Sequence, residues 1–396
     1  MLTVQWLRPA SRNEVSTSPI GLGPTRNKYS LHSYAATMYR VIQWGTGNVG
    51  THALRTIVER GDLELAGVKV YTEAKRGLDA GVLQDCEPVG VSCVVDLDEV
   101  LAIEADCVNF NGLGAHDPEA FDRTVGELCT LLRHGFNVTC SALEHLIYPP
   151  MVPEAQKQLE EACRQGGTSF YDTGINPGYA MDFWPVTLTR LSRSIEQIRV
   201  LEVVDMQAYD SLMVRSFMGF GLPPGQRTPM DEMHLNWRTS PFYASMLEVA
   251  DAMDLTIETV RYDREEGLTE RDIEVAVGIF EAGTVAVNRM TYTGVVGGHD
   301  FFVHSWVWRT TDNVHPEWGI GDHWECDIDG DPNIHSSLQL STSLDAGRPV
   351  SLTVATLNVN AIPTLCSAPP GVYTNLTLPN FAGGYRTVDG APIPHR

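Results

Sequence analysis

The sequence predicts an α/β fold, in which a Rossmann-type doubly wound parallel sheet is followed by an α+β domain with a mainly antiparallel sheet. Two patterns predict it. From Met38 to Tyr171, short apolar runs alternate with amphipathic stretches, as in parallel sheets whose strands are joined by helices. After about residue 195 the runs become longer and β-rich, and turn residues separate them. With 396 residues, 43% of them hydrophobic, the chain is long enough for two domains.

The strands and helices of the first domain follow from these runs. Strands are expected at Tyr39–Trp44, Leu63–Tyr71, Cys107–Phe110, Asn137–Cys140 and Ser169–Tyr171. Helices are expected at Val49–Arg60, Pro118–His134 and Met151–Gln165. Asp117 before Pro118 favours a helix start, because Asp caps helices and Pro suits their first position.

The second region is predicted to be rich in strands. They are expected at Gln197–Tyr209, Ile257–Tyr262, Asp272–Glu281, Thr284–Val296, Phe301–Thr310, His323–Ile328 and Ile334–Leu340. Hairpin turns are expected at Glu281–Gly283, Gly297–His299 and Asp329–Asp331. One helix, Pro241–Met253, interrupts the strands, with Ser240 as its expected cap.

These patterns divide the chain into four segments. Residues 38–175 are expected to form a dinucleotide-binding domain, and residues 176–345 a substrate and dimerisation domain. Residues 346–396 are expected to hold a buried helix, Ser351–Cys366, and a tail that returns to the first domain. Residues 1–37 lack clear periodicity and precede Met38, so we expect a disordered extension or a misplaced translation start.

Charge and composition exclude several kinds of partner. The formal net charge of −22 repels phosphate backbones and anionic lipid headgroups, so neither nucleic acid nor a membrane is an expected partner. The eight cysteines contain no CxxC pair, which indicates reduced thiols in a cytoplasmic protein. The histidines His299, His304, His315 and His323 lack the spacing of a chelating pair, so no metal is expected.

A glycine-rich loop indicates nucleotide binding. The segment Gly45-Thr46-Gly47-Asn48-Val49-Gly50 contains G-x-G-x-x-G between a predicted strand and a predicted helix. In that context Gly45 permits a tight turn, Gly47 permits close approach of a pyrophosphate, and Gly50 permits close packing of helix and strand. The helix N-terminus then receives the phosphates.

The cofactor choice depends on the end of the second strand. Thr72, Lys75 and Arg76 follow this strand and suit the 2′-phosphate of NADP, whereas Glu73 keeps NAD possible. Alternatively, Lys75 and Arg76 are charged loop residues that are only solvated and do not bind the cofactor. The expected cofactor is therefore NADP or NAD.

Ligands of doubly wound sheets meet the carboxyl ends of the strands, so the loops after the later strands are candidate site segments. Asn111 and Gly112 follow the fourth strand and are expected near the nicotinamide ribose. Ser141 follows the fifth strand, and Asn176 follows the sixth, where an amide is well placed to orient the carboxamide.

Four motifs carry a family resemblance: W-G-T-G-N-V-G at 44–50, S-A-L-E-H-L-x-Y-P at 141–149, D-T-G-I-N-P-G-Y-A-M-D at 172–182 and N-A-I-P-x-x-C-x-A-P-P-G at 360–371. Together they resemble the dihydrodipicolinate reductase-like superfamily. Within it they fit best the branch of 2,4-diaminopentanoate dehydrogenase and the native amine dehydrogenases. The His-His…Lys and Ser-Gly-Thr signature of true dihydrodipicolinate reductases is not found in the sequence, which argues against diaminopimelate synthesis.

The resemblance implies an NAD(P)-dependent homodimer that interconverts a primary amine with an aldehyde or ketone and ammonia. It also implies that Glu144, in the S-A-L-E motif, is the catalytic carboxylate that binds the amine. A carboxylate beside the nicotinamide can hold an ammonium group and transfer its proton. Tyr179, Trp184 and Tyr209 are candidate pocket residues, although aromatic residues are more often part of the core.

Three alternatives remain open at this point. Glu144 is alternatively a residue that only favours a helix start. The enzyme is alternatively a dehydrogenase or imine reductase of another small substrate. A nucleotide-binding protein without turnover is the third possibility, but mere binding does not require a carboxylate after the fifth strand.

Overall fold

The computed structural model describes residues 38–84, 87–112, 118–209, 213–234, 240–342 and 349–384. The predicted extension at residues 1–37 and the predicted cap Asp117 lie outside this part of the chain. The described strands are β1 (Tyr39–Trp44), β2 (Leu63–Lys69), β3 (Cys93–Val94), β4 (Cys107–Phe110), β5 (Asn137–Cys140), β6 (Ser169–Asp172), β7 (Ser194–Asp205), β8 (Thr259–Leu268), β9 (Ile273–Val275), β10 (Gly278–Phe280), β11 (Val285–Val296), β12 (His299–Arg309), β13 (His323–Asp331), β14 (Ile334–Gln339) and β15 (Gly371–Tyr373).

The described helices range from one turn to 19 residues. They are α1 (Asn48–Glu59), α2 (Leu97–Leu101), α3 (Pro118–His134), α4 (Pro153–Gly166), α5 (Phe183–Thr189), α6 (Met213–Ser216), α7 (Pro229–His234), α8 (Ala244–Ala252) and α9 (Pro349–Ser367).

The first sheet is parallel and doubly wound, as predicted. Its strand order is β15-β6-β5-β4-β1-β2-β3. Ile42 on β1 belongs to the cluster with α3 and α4 on one face, while Val41 belongs to the cluster with α1 and α9 on the other. Because neighbouring residues of a strand point to opposite faces, helices cover the strand on both sides and its central residues are buried.

Helix α9 packs against the first sheet, on the face that α1 also covers. Ala355, Val359 and Ile362 are buried against α1 and the sheet, and Arg60 Nη1 donates to Asn360 Oδ1 at 2.8 Å. By length and composition alone α9 is apolar enough to cross a membrane. Its buried face instead forms part of the core under β1.

The second sheet is mainly antiparallel, as predicted. Its strand order is β14-β13-β7-β12-β11-β8, and only the β7–β12 pair is parallel. Tyr292, Phe302 and Trp306 on its inner face pack with helix residues into a large aromatic and aliphatic core. The proposed domain boundaries after residues 175 and 345 stay predictions.

Three details of the second region were predicted wrongly. The segment Asp272–Glu281 is not one strand but the hairpin β9–β10, because Gly278 has a φ of +123° that interrupts an extended chain. Asp329–Asp331 lies inside β13, and the turn falls at Pro332 and Asn333, since proline lacks the N–H needed to continue the ladder.

The third detail concerns the helix predicted at Pro241–Met253. A 3₁₀ turn at Pro241–Tyr243 precedes α8, and the Ser240 side chain makes no capping hydrogen bond. The turn uses backbone hydrogen bonds instead, with Tyr243 N donating to Ser240 O at 3.2 Å. The short helices α6 and α7 were not predicted, because four to six residues hold too little periodicity.

Candidate active site

The predicted phosphate loop joins β1 to α1 by a tight turn. Gly45 has a φ of +90°, and a Cβ there would lie 2.2 Å from the backbone oxygen of Asn111. A Cβ on Gly50 would lie 2.2 Å from the Gly45 oxygen. Gln43 Nε2 also donates to that oxygen at 2.9 Å. Both glycines therefore permit backbone approaches that any side chain would prevent.

Gly47 has a different environment from the other two glycines. It is the N-cap of α1, it is exposed, and a Cβ there would meet nothing within 4 Å. Asn48 is exposed beside it, Thr46 and Val49 are half-buried, and the first turn of α1 has no acidic residue. The N-terminal amides of a helix lack intrahelical acceptors, so this end of α1 suits an anionic diphosphate.

A buried network of neutral side chains lies beneath the loop. Gln43 Nε2 donates to Asn111 Oδ1 at 2.9 Å, and Asn109 Nδ2 donates to Gln43 Oε1 at 2.7 Å. Asn111 Nδ2 donates to Ser141 Oγ at 2.8 Å, and Thr139 Oγ1 donates to Asn109 Oδ1 at 2.9 Å. The network joins the carboxyl ends of β1, β4 and β5. It brings the predicted residues Asn111 and Ser141 into direct contact.

Gln43, Asn109 and Thr139 were not predicted as site residues. Each is a polar residue inside an otherwise apolar strand and is fully buried in the structure. Since a buried polar group needs a partner, three such residues at the ends of neighbouring strands were a usable signal.

Of the three residues predicted to bind a 2′-phosphate, the structure brings Lys75 to the loop. Lys75 Nζ donates to Thr46 Oγ1 at 3.2 Å, while Thr72 is exposed nearby. Lys69 also lies at the end of β2, with its Nζ 3.5 Å from the centroid of the Tyr71 ring. Burial lowers the pKa of Lys69. Tyr71 Oη in turn accepts a bond from Trp44 at 3.0 Å.

Arg76 differs from the expectation. All three of its guanidinium nitrogens donate to carboxylates, those of Glu73, Asp96 and Glu99. One positive charge among three negative ones leaves this group with a net negative charge, which disfavours a phosphate. The carboxylates hold the pKa of Arg76 above its usual range. The short element at Glu73–Lys75 turns Lys75 toward the loop and Arg76 toward α2.

Gly112 follows β4 and is half-buried. A Cβ there would lie 2.5 Å from the ring of Phe110 and 2.7 Å from Tyr71 Oη. The absence of a side chain at Gly112 therefore allows these two aromatic residues to approach the chain.

Glu144 and Asp172 form a pair of acidic side chains at the ends of β5 and β6. Glu144 begins a 3₁₀ turn, Glu144–Ile147, and its side chain reaches the surface, although protein atoms surround it closely enough to raise its pKa by desolvation. Asp172 is 1% exposed, and its Oδ2 accepts no hydrogen bond within the described part of the chain. Burial, and then the charge of Glu144, raise the pKa of Asp172. Both shifts favour the neutral form of the carboxyl group, and only that of Asp172 includes repulsion from the other member of the pair.

A cavity of about 220 Å³ lies between the inner face of the second sheet and the N-terminal turns of α1 and α9 with the segment after β6. Its described lining comprises Val49, Ile175, Asn176, Glu202, Val204, Asp205, Met206, Ala208, Tyr209, Met218, Trp308, Asp322, Pro349, Val350, Ser351 and Val354. Two residues of the predicted cofactor site, Val49 and Asn176, thus line one space with the predicted pocket residue Tyr209. Asn176 Nδ2 is buried without a hydrogen-bond partner in the described residues.

The other two predicted pocket residues lie elsewhere in the described structure. Tyr179 stacks on Phe183 with ring centroids 5.6 Å apart, and Trp184 is half-buried against the core of the second region. Neither belongs to the described lining of the cavity. Their assignment to a substrate pocket stays a prediction.

Glu202 is a buried carboxylate that the sequence analysis did not single out. It is 3% exposed, and its two oxygens accept from Trp308 Nε1 at 3.0 Å and from Trp324 Nε1 at 2.8 Å. Burial raises the pKa of Glu202, while these hydrogen bonds oppose the shift. The signal was its place in the alternating row Ile198, Val200, Glu202, Val204, where the pattern predicts an apolar residue.

Within the described residues, no group of three or more His, Cys, Asp or Glu side chains could hold a metal ion.

Comparison with known proteins gives concordant matches. Residues 179–387 match the model of the 2,4-diaminopentanoate dehydrogenase C-terminal domain. An amine dehydrogenase of Streptomyces virginiae is 29% identical, with 86% of this chain and 96% of that protein covered. The 2,4-diaminopentanoate dehydrogenase of Acetoanaerobium sticklandii is 24% identical, with 86% and 93% covered. The solved structure of an amine dehydrogenase from Mycobacterium smegmatis superimposes with a TM-score of 0.71 at 19% identity, covering 88% of this chain and 97% of that one.

Proposed function

This chain belongs to the 2,4-diaminopentanoate dehydrogenase family, and from that premise we propose that it is an NAD(P)-dependent amine dehydrogenase. In this reaction a primary amine is oxidised to an aldehyde or ketone with release of ammonia, and the reverse direction is reductive amination. The observation that carries the proposal is Glu144, an accessible carboxylate with a raised pKa after β5. The fold is that of the nicotinamide-dependent dehydrogenases, and a nicotinamide cofactor is implied.

The residues present fit such a cofactor. The N-terminus of α1, with Gly47 exposed at its cap, suits the diphosphate, and the buried network holds Asn111 and Ser141 at the neighbouring strand ends. Asn176 has an unpartnered amide nitrogen, which suits the carboxamide. When bound, the nicotinamide exchanges a hydride with the substrate carbon.

The protein's own contribution is to bind the amine and handle protons. Glu144 accepts a charge-assisted hydrogen bond from the ammonium or iminium nitrogen, and it takes up or returns the proton as the carbinolamine forms and collapses. Burial and the charge of Glu144 raise the pKa of Asp172 beside it, which favours the neutral form of Asp172. A neutral Asp172 leaves the negative charge of Glu144 for the substrate.

The test is Glu144→Gln, which keeps the size of the side chain and removes its charge. Loss of one acid–base group typically lowers the rate by roughly 10²–10⁴-fold. Ammonia-dependent reduction of a panel of aldehydes and ketones should fall by that amount, whereas the dissociation constant of the cofactor should stay near the wild-type value. Glu154→Gln, at an exposed position on α4, is the matched control.

If Glu144→Gln retained ammonia-dependent turnover, the catalytic role of Glu144 would be contradicted, and the residue would only start the 3₁₀ turn. Wild-type activity on alcohols or cyclic imines, without activity on carbonyls plus ammonia, would contradict the amine reaction itself and favour the alternative dehydrogenase or imine reductase.

We propose further that the cofactor site accepts NADPH at least as well as NADH, with Lys75 as the residue that contacts the 2′-phosphate. Lys75 lies against Thr46 of the loop, which supports this role, whereas Arg76 is occupied by three carboxylates. Lys75→Ala should weaken NADPH binding by about tenfold, the value of one exposed charge-assisted contact, and leave NADH binding nearly unchanged. Lys157→Ala, on α4, is the control. Equal losses for both cofactors would contradict the assignment.

The proposal also covers the oligomeric state and the cellular location. We propose a homodimer, which the family resemblance implies and which light scattering after size exclusion tests by mass. We also propose a cytoplasmic location; the described cysteines are all free thiols, which suits a reducing compartment. Fractionation of the native cells tests it.

A further inference from the structure

Two buried carboxyl groups outside the candidate active site face each other. Asp182, the N-cap of α5, is fully buried, and Glu248 on α8 is 4% exposed. Their side chains interact directly. Two ionised carboxylates in contact away from water repel each other strongly, so this arrangement is stable only if the pair holds a proton.

Asp182 has the hydrogen bonds of an ionised carboxylate. Its Oδ2 accepts from Ser245 Oγ at 2.9 Å, and its Oδ1 accepts from Asn375 Nδ2 at 3.0 Å. The backbone N–H of Phe183 also donates to Oδ1. Because all three groups donate, they favour the charged form of this carboxyl group.

Glu248 lacks such donors. Neither of its oxygens accepts a hydrogen bond of ordinary geometry from the described residues. The Thr374 side chain and the Leu376 backbone favour its charged form, but burial and the charge of Asp182 have larger effects and raise its pKa. A protonated Glu248 can donate to Asp182, so the proton of the pair belongs on Glu248.

Asp182 is connected to both ends of the loop that follows β6. At one end, Ser245 Oγ accepts from the backbone N–H of Gly178 at 2.8 Å. At the other end, Asn375 Oδ1 accepts from Thr173 Oγ1 at 2.7 Å. One neutral side chain therefore joins Asp182 to each end of the loop, and a shift of Asp182 displaces the loop.

We propose that Asp182 and Glu248 share one proton and act as positioning residues for the loop after β6, which carries Asn176. The inference rests on the proposed function only for the role of Asn176 toward the carboxamide. With the proton present, Glu248 holds Asp182, and Asp182 holds the loop. When base removes the proton, two negative charges face each other, α5 and α8 separate at this point, and Asn176 is no longer fixed.

The groups that face the pair do not replace the proton by a positive charge. Tyr171 on β6 and Tyr148, which follows the 3₁₀ turn after β5, face the pair, and Asp251 on α8 lies beside Tyr148. No cation is among the largest influences on either carboxyl group. Burial raises the pKa of both tyrosines, so they stay neutral below pH 9. Residues 374–376 contribute neutral groups.

The first test compares the melting temperatures of wild type and Glu248→Gln from pH 5 to 9. The amide keeps the size and the donor of a protonated Glu248 but cannot release a proton. The folded wild type keeps a proton that the unfolded chain has released, so the contribution of the pair to stability is lost as the pH rises through this window. The melting temperature of Glu248→Gln minus that of wild type should therefore increase by several degrees.

Glu270→Gln, at an exposed position between β8 and β9, is the matched control and should show no such increase. A difference between Glu248→Gln and wild type that does not change with pH would overturn the shared proton.

A second pair of variants tests which residue carries the proton. Asp182→Asn leaves one acceptor oxygen for three donors, so it should lower the melting temperature at pH 7, whereas Glu248→Gln should not. An equal or larger loss in Glu248→Gln, or its failure to fold, would overturn the proposal, because glutamine reproduces the protonated side chain.

Cofactor binding tests the positioning role and needs no amine turnover. The dissociation constant of NADH for wild type, divided by that for Glu248→Gln, should increase with pH by at most about tenfold per pH unit, the limit for one proton. Ser245→Ala breaks the connection to Gly178 and leaves the pair in place. It should weaken NADH binding at every pH and keep the pH response of the melting temperature.

These outcomes separate the inference from the proposed function. A ratio of dissociation constants that stays constant from pH 5 to 9 would make the pair purely structural and overturn the positioning role. A ratio that increases with pH in a protein that oxidises no amine would support the positioning role and contradict only the amine dehydrogenase reaction.

Discussion

The two sheets hold their buried polar groups in different ways. At the carboxyl ends of β1, β4 and β5 in the first sheet the groups are neutral and bonded to one another, as Gln43 is to Asn111 and Asn111 is to Ser141. On the inner face of the second sheet they are ionisable and lie among aromatic rings, as Glu202 and His304 do. Neutral groups with internal partners fix positions, whereas ionisable groups in apolar surroundings respond to charges and protons.

This difference separates two tasks within one molecule. The ends of β1, β4 and β5 form a neutral support beneath the proposed dinucleotide site, so cofactor affinity should depend on shape and on the N-terminus of α1. The second sheet provides groups whose charge state depends on what lies beside them. Variants of the first sheet should therefore change cofactor binding, and variants of the second should change selectivity and pH response.

The largest expected effect falls on the first sheet. Gly47→Val should abolish saturable cofactor binding, because its side chain would occupy the space through which the diphosphate approaches α1. The fold should be retained, since a Cβ at Gly47 meets nothing within 4 Å. Fluorescence titration with NADH and NADPH measures the affinity. Gly126→Val, at an open position on α3, is the control, and unchanged affinity in Gly47→Val would place the diphosphate elsewhere.

An intermediate effect is expected within the neutral network. Gln43→Leu removes the donor to Asn111 and to the Gly45 oxygen, and so leaves buried polar atoms without a partner. The free energy of unfolding, measured with urea, should fall by about 1–3 kcal/mol, and cofactor affinity should fall with it. Gln156→Leu, on the exposed side of α4, is the control. A loss no greater than that of the control would show that the network does not support the loop.

The smallest expected effect is a pH dependence of stability that belongs to the second region. Burial lowers the pKa of His234 and His304 to about 4. Between pH 6.5 and 4 each of these histidines then binds more protons in the unfolded chain than in the folded one, so their contribution to stability falls as the pH falls through this window and is constant above it. Asp172 and Glu202, whose pKa values are raised, contribute with the opposite sign, so the histidine contribution is measured as the difference in melting temperature between wild type and His304→Gln from pH 7.5 to 5.

His304→Gln should flatten part of that decline. His335→Gln is a control of opposite sign: Asp327 raises the pKa of His335, so this residue stabilises the fold at low pH and loses that effect as the pH rises. Removing it should leave the decline in place or steepen it. A decline that persists unchanged in His304→Gln would exclude His304 as its source.

Much of the first sheet could be predicted because its information is local. The apolar run Tyr39–Trp44 is followed by glycines at the spacing of a βα turn, and the strands Cys107–Phe110 and Asn137–Cys140 were predicted at their observed bounds. In contrast β15, three residues long, forms only because it pairs with β6. The sequence of those three residues alone does not indicate that they pair with β6.

The candidate site divides in the same way. Glycines and strand-end residues could be listed from spacing, but the pairing of Arg76 with Asp96 and Glu99 depends on where α2 lies in space. Glu202 was missed because its hydrogen-bond donors, Trp308 and Trp324, lie on strands more than 100 positions away in sequence. Its polar character in an apolar row was visible, but its partners were not.

The packing of α9 and β15 on the first sheet has a consequence for synthesis of the protein on the ribosome. β1 leaves the ribosome early, but the α9 residues that pack on it and the edge strand β15 are translated near the end of the chain. Arg60 precedes its hydrogen-bond partner Asn360 by 300 positions. The first sheet of the nascent chain therefore exposes an apolar face until the whole second sheet has emerged. Chaperones that cover such faces during translation have a binding surface here, and a chain that stops before residue 349 presents it permanently.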